Sequence, residues 1–294
     1  MKEYSYVYDI SLKIYGFFVV YMLALYELIV QYIWLFRYRT GLLAGPDNSL
    51  YLKDQTLLIT GGVGTIGREV TRKALEHDNR VIIFDILPQR EAFKILATLG
   101  ETKKAGIMHA PYKLYEGLES QLLVSYLSHC LILSEFHSYL SPSTRVVFVS
   151  SVCHKPGFVQ LDDLNGRRAY SSHLWYVQAK MCQLLLVAYL ATKTRIHVNA
   201  VHPGVVEGTL YKHVLFRNVL GPFYIMTPAE GALCPSFACL SSEMKGVRGQ
   251  YLEFCRSVTP NKLMYDPIMQ EKLFEKTVDF LKPYTDFAKL IHTQ

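Results

Sequence analysis

Charge is what this 294-residue chain has little of: 19% of its residues are charged and 50% are hydrophobic, where soluble domains average about 25% charged. That balance excludes a disordered chain and points to some lipid-facing surface. There is no dense run of Lys and Arg and no basic stripe interleaved with aromatics. The net charge of +6 therefore does not read as a nucleic-acid footprint. Residues 1–50 are balanced, with Lys2, Lys13, Arg37 and Arg39 against Glu3, Asp9, Glu27 and Asp47. The positive excess lies beyond them, where weak attraction to anionic lipid is its better use. The cysteines (Cys130, Cys153, Cys182, Cys234, Cys239, Cys255) show no CxxC or Cys/His spacing. This argues against structural zinc or any other metal site and for a reducing compartment. Cys130 and Cys182 fall in apolar helical patterns, where a thiol acts as a small buried hydrophobe. No internal repeat or low-complexity stretch is present.

What the chain does have is one long hydrophobic run. Ile14–Phe36 is 23 residues, or about 35 Å of helix against a hydrocarbon core of about 30 Å. It is too long for a cleavable signal, whose apolar region is about 7–15 residues. Tyr15, Tyr32 and Trp34 sit near its ends, and Arg37 and Arg39 follow it, which places the rest of the chain on the cytosolic side. Glu27 and Gln31 form an i, i+4 polar stripe on this helix. Three placements fit: a spanning helix, a helix in one leaflet with the stripe towards water, and a docking helix. A linker, Thr40–Asn48, marks the boundary, giving an anchoring unit at 1–48 and a main domain at 49–294.

Gln55–Thr60 reads as a short strand running into Gly61, Gly62, Gly64 and Gly67, followed by a helical pattern from Arg68 to His77 and a second strand, Val81–Phe84, closing on Asp85. Strand, glycine turn, helix, strand and acid make up the dinucleotide-binding unit. Its glycines let backbone approach a pyrophosphate at the helix N-terminus. Asp85 lies 18 residues beyond Gly67, close to the distance expected of the acid that binds the ribose. A carboxylate there favours NAD, with NADP as the alternative; a plain helix-capping role is the competing reading.

Arg145–Val149 reads as a buried strand ending in Ser150 and Ser151, and a helix over about Leu174–Leu190 carries Tyr176 and Lys180. Residues four apart share a helix face, and an ammonium beside a phenol favours the phenolate, suiting it to acid–base work. A third strand, Arg195–Val201, runs into His202, Pro203 and Gly204, at the strand ends where a nicotinamide would be held.

On these residues the chain resembles the short-chain dehydrogenases/reductases over about residues 54–260. The marks are Thr60–Gly67, Val149-Ser150-Ser151, Tyr176–Lys180 and Asn199–Gly204. The runs His202–Val214, Thr227–Ala232 and Gly246–Leu252 resemble the X-linked dehydrogenase/reductase branch, near the retinol dehydrogenases and linked to polyprenol and dolichal chemistry. The resemblance implies an α/β Rossmann-like doubly wound parallel sheet. It implies Tyr176 as general acid/base, Lys180 as its tuning partner and Ser151 as the group orienting the substrate oxygen. It implies cofactor contacts from Thr60, Gly61, Gly62, Gly64, Thr65, Ile66, Gly67, Asp85, Tyr176, Lys180, Pro203 and Gly204. It further implies a lipophilic alcohol or carbonyl substrate, an endoplasmic-reticulum or lipid-droplet surface, and a homodimer through about Leu118–Leu140 and Leu174–Leu190.

The departures matter as much. Ser125 stands where the family has the asparagine of its catalytic tetrad, which supports a water-linked proton path. Thr65 stands in place of a glycine, and Gly208, with Thr209 beside it, in place of a threonine. Lys103 and Lys104 replace two asparagines before Ala105-Gly106. Only 17 residues separate Asp85 from Lys103: room for one helix, about Gln89–Leu99, but not for a further strand–helix–strand unit, which needs about 30. One or two strands and a helix of the sheet are expected to be missing, leaving an unpaired edge on the adenine side. Such a chain is either an active enzyme or a shortened, weakly catalytic scaffold or sensor. Lesser expectations are surface histidines at His154 and His173, a turn capped by Asp162-Asp163, an apolar mouth at Phe216–Met226 and a helical tail over Asp266–Leu290.

Overall fold

A computed structural model describes residues 2–85, 108–207 and 225–292. Helix α1 (Lys2–Arg39) is longer at both ends than its apolar run. Strand β1 (Thr56–Thr60), helix α2 (Thr65–Glu76) and strand β2 (Arg80–Phe84) then form the expected unit, with β1 and β2 parallel from Thr56↔Arg80 to Thr60↔Phe84. A hairpin of β3 (Leu114–Tyr115) and β4 (Leu118–Glu119) leads through a π-helical turn, Leu123–Leu127, into α3 (Ser128–Glu135). Next come β5 (Arg145–Val149), α4 (Ser172–Lys193), β6 (His197–His202), α5 (Leu233–Leu240), β7 (Tyr251–Glu253), β8 (Arg256–Ser257) and α6 (Pro267–Leu281). The expected helix at Gln89–Leu99, the Lys103–Gly106 turn, Gly208, Thr209 and most of Phe216–Met226 lie outside the described residues.

The sheet is split. β5, β6, β7 and β8 are neighbours in that order, the first three parallel and β8 antiparallel, while β1 and β2 stand apart as a pair. Among the described residues no strand pairs with the free edge of β1 or of β5. Among the described residues the gap therefore falls between β1 and β5, in the middle of the sheet, and not only at the adenine edge. Ile82 (47%), Phe84 (41%) and Val149 (41%) are correspondingly exposed, although their sequence reads as buried strand.

Helices join the two halves instead. Ala74 of α2 meets Leu240 of α5 and Tyr51 in one apolar cluster, and the Leu52 N–H donates to the Leu240 carbonyl at 2.8 Å. Arg145, at the start of β5, donates to the carbonyls of Cys239 and Ser241 at 2.9 and 2.8 Å. Burying Leu240 in this cluster is worth about 1.5–3 kcal/mol, a contribution made without strand hydrogen bonds.

The core is built around α4, a mostly apolar helix whose buried polar side chains Gln178, Lys180 and Gln183 are each hydrogen-bonded, as enclosure requires. Every residue from Leu174 to Leu190 is buried within the chain, including Cys182; Cys130 is buried beside it. Helix α6 and the hairpin side cover the outer face of α4, with Phe274 stacked on Tyr189 at 4.6 Å. The expected dimer face on Leu174–Leu190 is thus already covered by the chain's own C-terminal helix.

Helix α1 lies along the domain. Glu27 and Gln31 are fully buried against it, so the polar stripe faces protein and not water. Arg39 makes a bidentate pair with Glu230 at 2.7 and 2.8 Å, and Trp34 stacks on Phe254 at 4.9 Å. The opposite face carries Ile14, Phe17, Phe18, Met22, Leu25, Ile29, Ile33 and Phe36, all exposed. Among the described residues, α1 and α4 are the helices long and apolar enough to cross a membrane.

Candidate active site

The glycine turn is built by contact as well as by backbone freedom. Gly61 has φ +67°, a left-handed conformation that glycine adopts without cost. At Gly67 a Cβ would lie 2.1 Å from the Gly61 carbonyl oxygen. Gly64 caps α2 without a side-chain hydrogen bond, so the first N–H groups of the helix are left to the cavity in front of them. The Asp85 carboxylate accepts from the Val63 N–H at 3.3 Å, which holds it at the turn. An open helix N-terminus, a turn that no larger residue fits and an acid beside it suit a dinucleotide: the pyrophosphate at the N–H groups, a ribose at Asp85.

The second set of residues faces the same space. Ser150 and Ser151 end β5, and both are buried. Ser151 Oγ accepts from the Cys153 N–H at 3.2 Å, which starts a short helical turn and leaves its own proton to donate. Tyr176 and Lys180 stand one turn apart on α4, with Lys180 Nζ 5.7 Å from the Tyr176 ring centroid. Lys180 Nζ donates to the Val149 carbonyl at 2.9 Å, and Ser150 Oγ donates to the Lys180 carbonyl at 3.2 Å, fixing the strand end to the helix. A cavity of about 1430 Å³ is lined by Thr60, Gly61, Gly64, Thr65, Ile66 and Gly67 on one side and by Ser150, Ser151, Tyr176, Lys180, Pro203 and Gly204 on the other. It extends along the facing edges of β1 and β5. The glycine turn and the Ser–Tyr–Lys set, read separately in the sequence, thus share one cavity; Gly62 is buried behind the turn against Ile83, and neither Gly62 nor Asp85 is among the residues that line it.

Burial pulls the Lys180 ammonium down to about 8 from its ordinary 10.5, with Cys153 opposing. The folded protein releases this proton near pH 8 and the unfolded chain only near 10.5, so stability rises with pH across that window. Below pH 8 the burial penalty stands in full, about 3 kcal/mol. Lys180→Met is therefore expected to be more stable than wild type at pH 7, with the difference shrinking between pH 8 and 10.5. Urea unfolding of both proteins at pH 7 and pH 10 checks this.

Ser125 lies in the π-helical turn and lines the cavity. Its carbonyl accepts from Gln183 Nε2 at 2.6 Å.

Several histidines were not legible as site residues. His154 is fully buried, not on the surface; its Nδ1 lies 2.7 Å from the Ser151 carbonyl, and burial pulls it down to about 4. His129 lines the cavity and is likewise pulled down to about 4 by burial, with Lys180 contributing. His173 is half-buried, its ring 4.1 Å from that of His109, which meets Tyr176 edge-on at 6.0 Å. Asp163 is buried and accepts from the N–H groups of Arg167 and Arg168 at 2.8 and 3.0 Å, a turn cap as expected. No group of metal-ligating side chains occurs among the described residues.

No family model matches the chain. It is similar to polyprenol dehydrogenase of Danio rerio, 34% identical over 190 residues, covering 59% of this chain and 59% of that protein. It is also similar to retinol dehydrogenase 14 of Homo sapiens, 28% identical over 230 residues, covering 73% and 67%. The chain thus spans 59% of the length of the first of these relatives. Among solved structures, an uncharacterized protein from Mycobacterium paratuberculosis superposes with a TM-score of 0.64 at 22% identity, over 83% of this chain and 99% of that one. A short-chain dehydrogenase/reductase from Brucella melitensis gives 0.51 at 16% identity, over 69% and 95%. In sequence the chain is thus similar to polyprenol and retinol dehydrogenases, and in fold it is similar to a solved short-chain dehydrogenase/reductase.

Proposed function

We propose that the chain is a membrane-associated oxidoreductase that moves hydride between a nicotinamide cofactor and a lipophilic alcohol or carbonyl of polyprenol, dolichal or retinoid type. The observation that carries this reading is the single cavity shared by the glycine turn, Ser151, Tyr176, Lys180 and the Pro203–Gly204 turn. A bound nicotinamide cofactor supplies the hydride acceptor or donor. Tyr176 takes the hydroxyl proton of the alcohol in oxidation and returns one to the carbonyl oxygen in reduction. Ser151 donates a hydrogen bond to that oxygen. Lys180, while charged, favours the phenolate form of Tyr176.

NAD is the preferred cofactor in this reading; what supports it is that Asp85 follows β2, 18 residues beyond Gly67, and accepts from the Val63 N–H of the glycine turn, so that a 2′-phosphate bound there would meet a carboxylate. Like charges brought together cost several kcal/mol, so Asp85→Ala is expected to raise NADPH affinity relative to NADH by roughly tenfold or more. Titrating both cofactors against both proteins checks this.

The exposed apolar face of α1 is the membrane-binding face in this proposal. With Glu27 and Gln31 buried against the domain, the helix fits one leaflet, lying in the membrane plane with the domain in the cytosol at an endoplasmic-reticulum or lipid-droplet surface. The anchoring unit at 1–48 therefore works as part of the main domain at 49–294. Incubating the full chain in liposomes with NADH and a long-chain polyprenal tests the function directly: aldehyde-dependent NADH oxidation supports it.

A second reading is favoured by the separate β1–β2 pair and by Ser125 standing in place of an asparagine: a shortened, slow or inactive form that binds cofactor as a scaffold or sensor. Saturable cofactor binding without turnover of any long-chain alcohol or aldehyde would select it.

A further inference from the structure

The polar stripe on α1 has no use in membrane binding, since it points away from the lipid-facing side. Its partners lie on the turn that follows β6. His202 Nε2–H donates to Glu27 Oε1 at 3.1 Å, with both side chains out of water. Gln31 brackets a single residue: its Oε1 accepts from the Val205 N–H at 2.7 Å and its Nε2 donates to the Val205 carbonyl at 3.0 Å. The side-chain amide thus pairs with this backbone as a neighbouring strand would. Between these two anchors lie Pro203 and Gly204, which line the cavity. Gly204 has φ +86°, and a Cβ there would lie 2.9 Å from Gln31 Oε1 and 2.5 Å from Met226 Sδ, so the turn is seated directly against the helix.

We infer that Glu27 and Gln31 are positioning residues for the nicotinamide half of the cofactor site, and that α1 is a structural wall of that site as well as an anchor. This rests on the proposed function for the ligand, and on the geometry alone for the fixing of the turn. In a doubly wound sheet the ligand lies outside the carboxyl ends of the strands, and β6 delivers 203–204 there. In this chain the split sheet leaves β5 without a neighbour on its cofactor side among the described residues. The turn is then held from outside, by a helix more than 170 residues earlier in sequence. A buried carboxylate and a buried amide in an apolar stretch of helix are costly unless paired, and here one carboxylate oxygen and both ends of the amide are paired to the same segment.

The experiment uses the full chain in detergent or nanodiscs, with Gln31→Ala, Glu27→Ala and Glu27→Gln. Hydrogen exchange without cofactor is read at 202–207 and at the glycine turn, 61–67. Affinities are read for NADH and for ADP-ribose, which lacks the nicotinamide. Exchange at 202–207 is expected to rise about tenfold in the two alanine variants, as loss of a buried hydrogen bond implies, and to stay unchanged at 61–67. NADH binding weakens about tenfold while ADP-ribose binding moves less than about twofold. Glu27→Gln, which still accepts from His202, stays close to wild type. Unchanged exchange at 202–207 overturns the inference, as does an equal loss of NADH and ADP-ribose affinity. A wild type that binds neither ligand counts against the proposed function instead, and the exchange result then decides the inference alone.

Discussion

Tyr176→Phe is expected to lose hydride transfer by about 10³-fold, within the 10²–10⁴ typical of a positioned acid–base group. The substitution removes one oxygen and keeps the ring, so the buried packing of Tyr176 and its edge contact with His109 survive. Cofactor affinity should therefore change little, and the loss should appear in kcat. Lys180, 5.7 Å from the ring centroid and held by the Val149 carbonyl, stays in place with no phenol to act on. Turnover of a long-chain aldehyde by variant and wild type, with NADH binding measured alongside, checks the prediction. A variant that keeps more than about a tenth of wild-type kcat would remove Tyr176 from its role.

Gly67→Ala is expected to have the largest effect on the scaffold. Its Cβ would fall 2.1 Å from the Gly61 carbonyl oxygen and 3.0 Å from the Gly62 Cα. Both obstacles are backbone, so no side chain can swing aside, and the start of α2 must move away from β1. Strain of this kind belongs to the tail of point mutations that cost about 4 kcal/mol or more, and Tm should fall by on the order of 10 °C. Because β1, α2 and β2 are joined to the rest, among the described residues, by helix packing and not by strand pairing, the loss should concentrate there. Proteolysis or hydrogen exchange should show 56–84 opening first while the α4 core stays protected. NADH binding is lost with the turn, even at temperatures where the variant remains folded.

The parts of this molecule written in local pattern were legible in the sequence. The strand–turn–helix–strand over 56–84, the serines ending β5, the Tyr176–Lys180 spacing and the turn after β6 all follow from periodicity and short motifs. What stayed hidden depends on partners far apart in sequence. The deficit after Asp85 could be counted, but the place where it opens the sheet depends on strand order, and strands β1 and β5 become facing edges only once folded. Glu27 and Gln31 form a stripe by spacing alone, yet spacing cannot say whether a stripe meets water or protein. The partner here is a turn at 202–205. His154 reads as an ordinary surface residue until β7 brings Tyr251 against it at 4.4 Å. The outer face of α4 looks free for a second copy until α6 covers it.

The account stands on one nicotinamide cofactor bridging two half-sheets, and direct binding tests it. NADH and NADPH are titrated by calorimetry into the full chain in nanodiscs, with folding verified by circular dichroism. Saturable one-to-one binding of NADH, weakened about tenfold by Asp85→Ala, is the predicted result. A folded protein that binds neither cofactor would contradict the account.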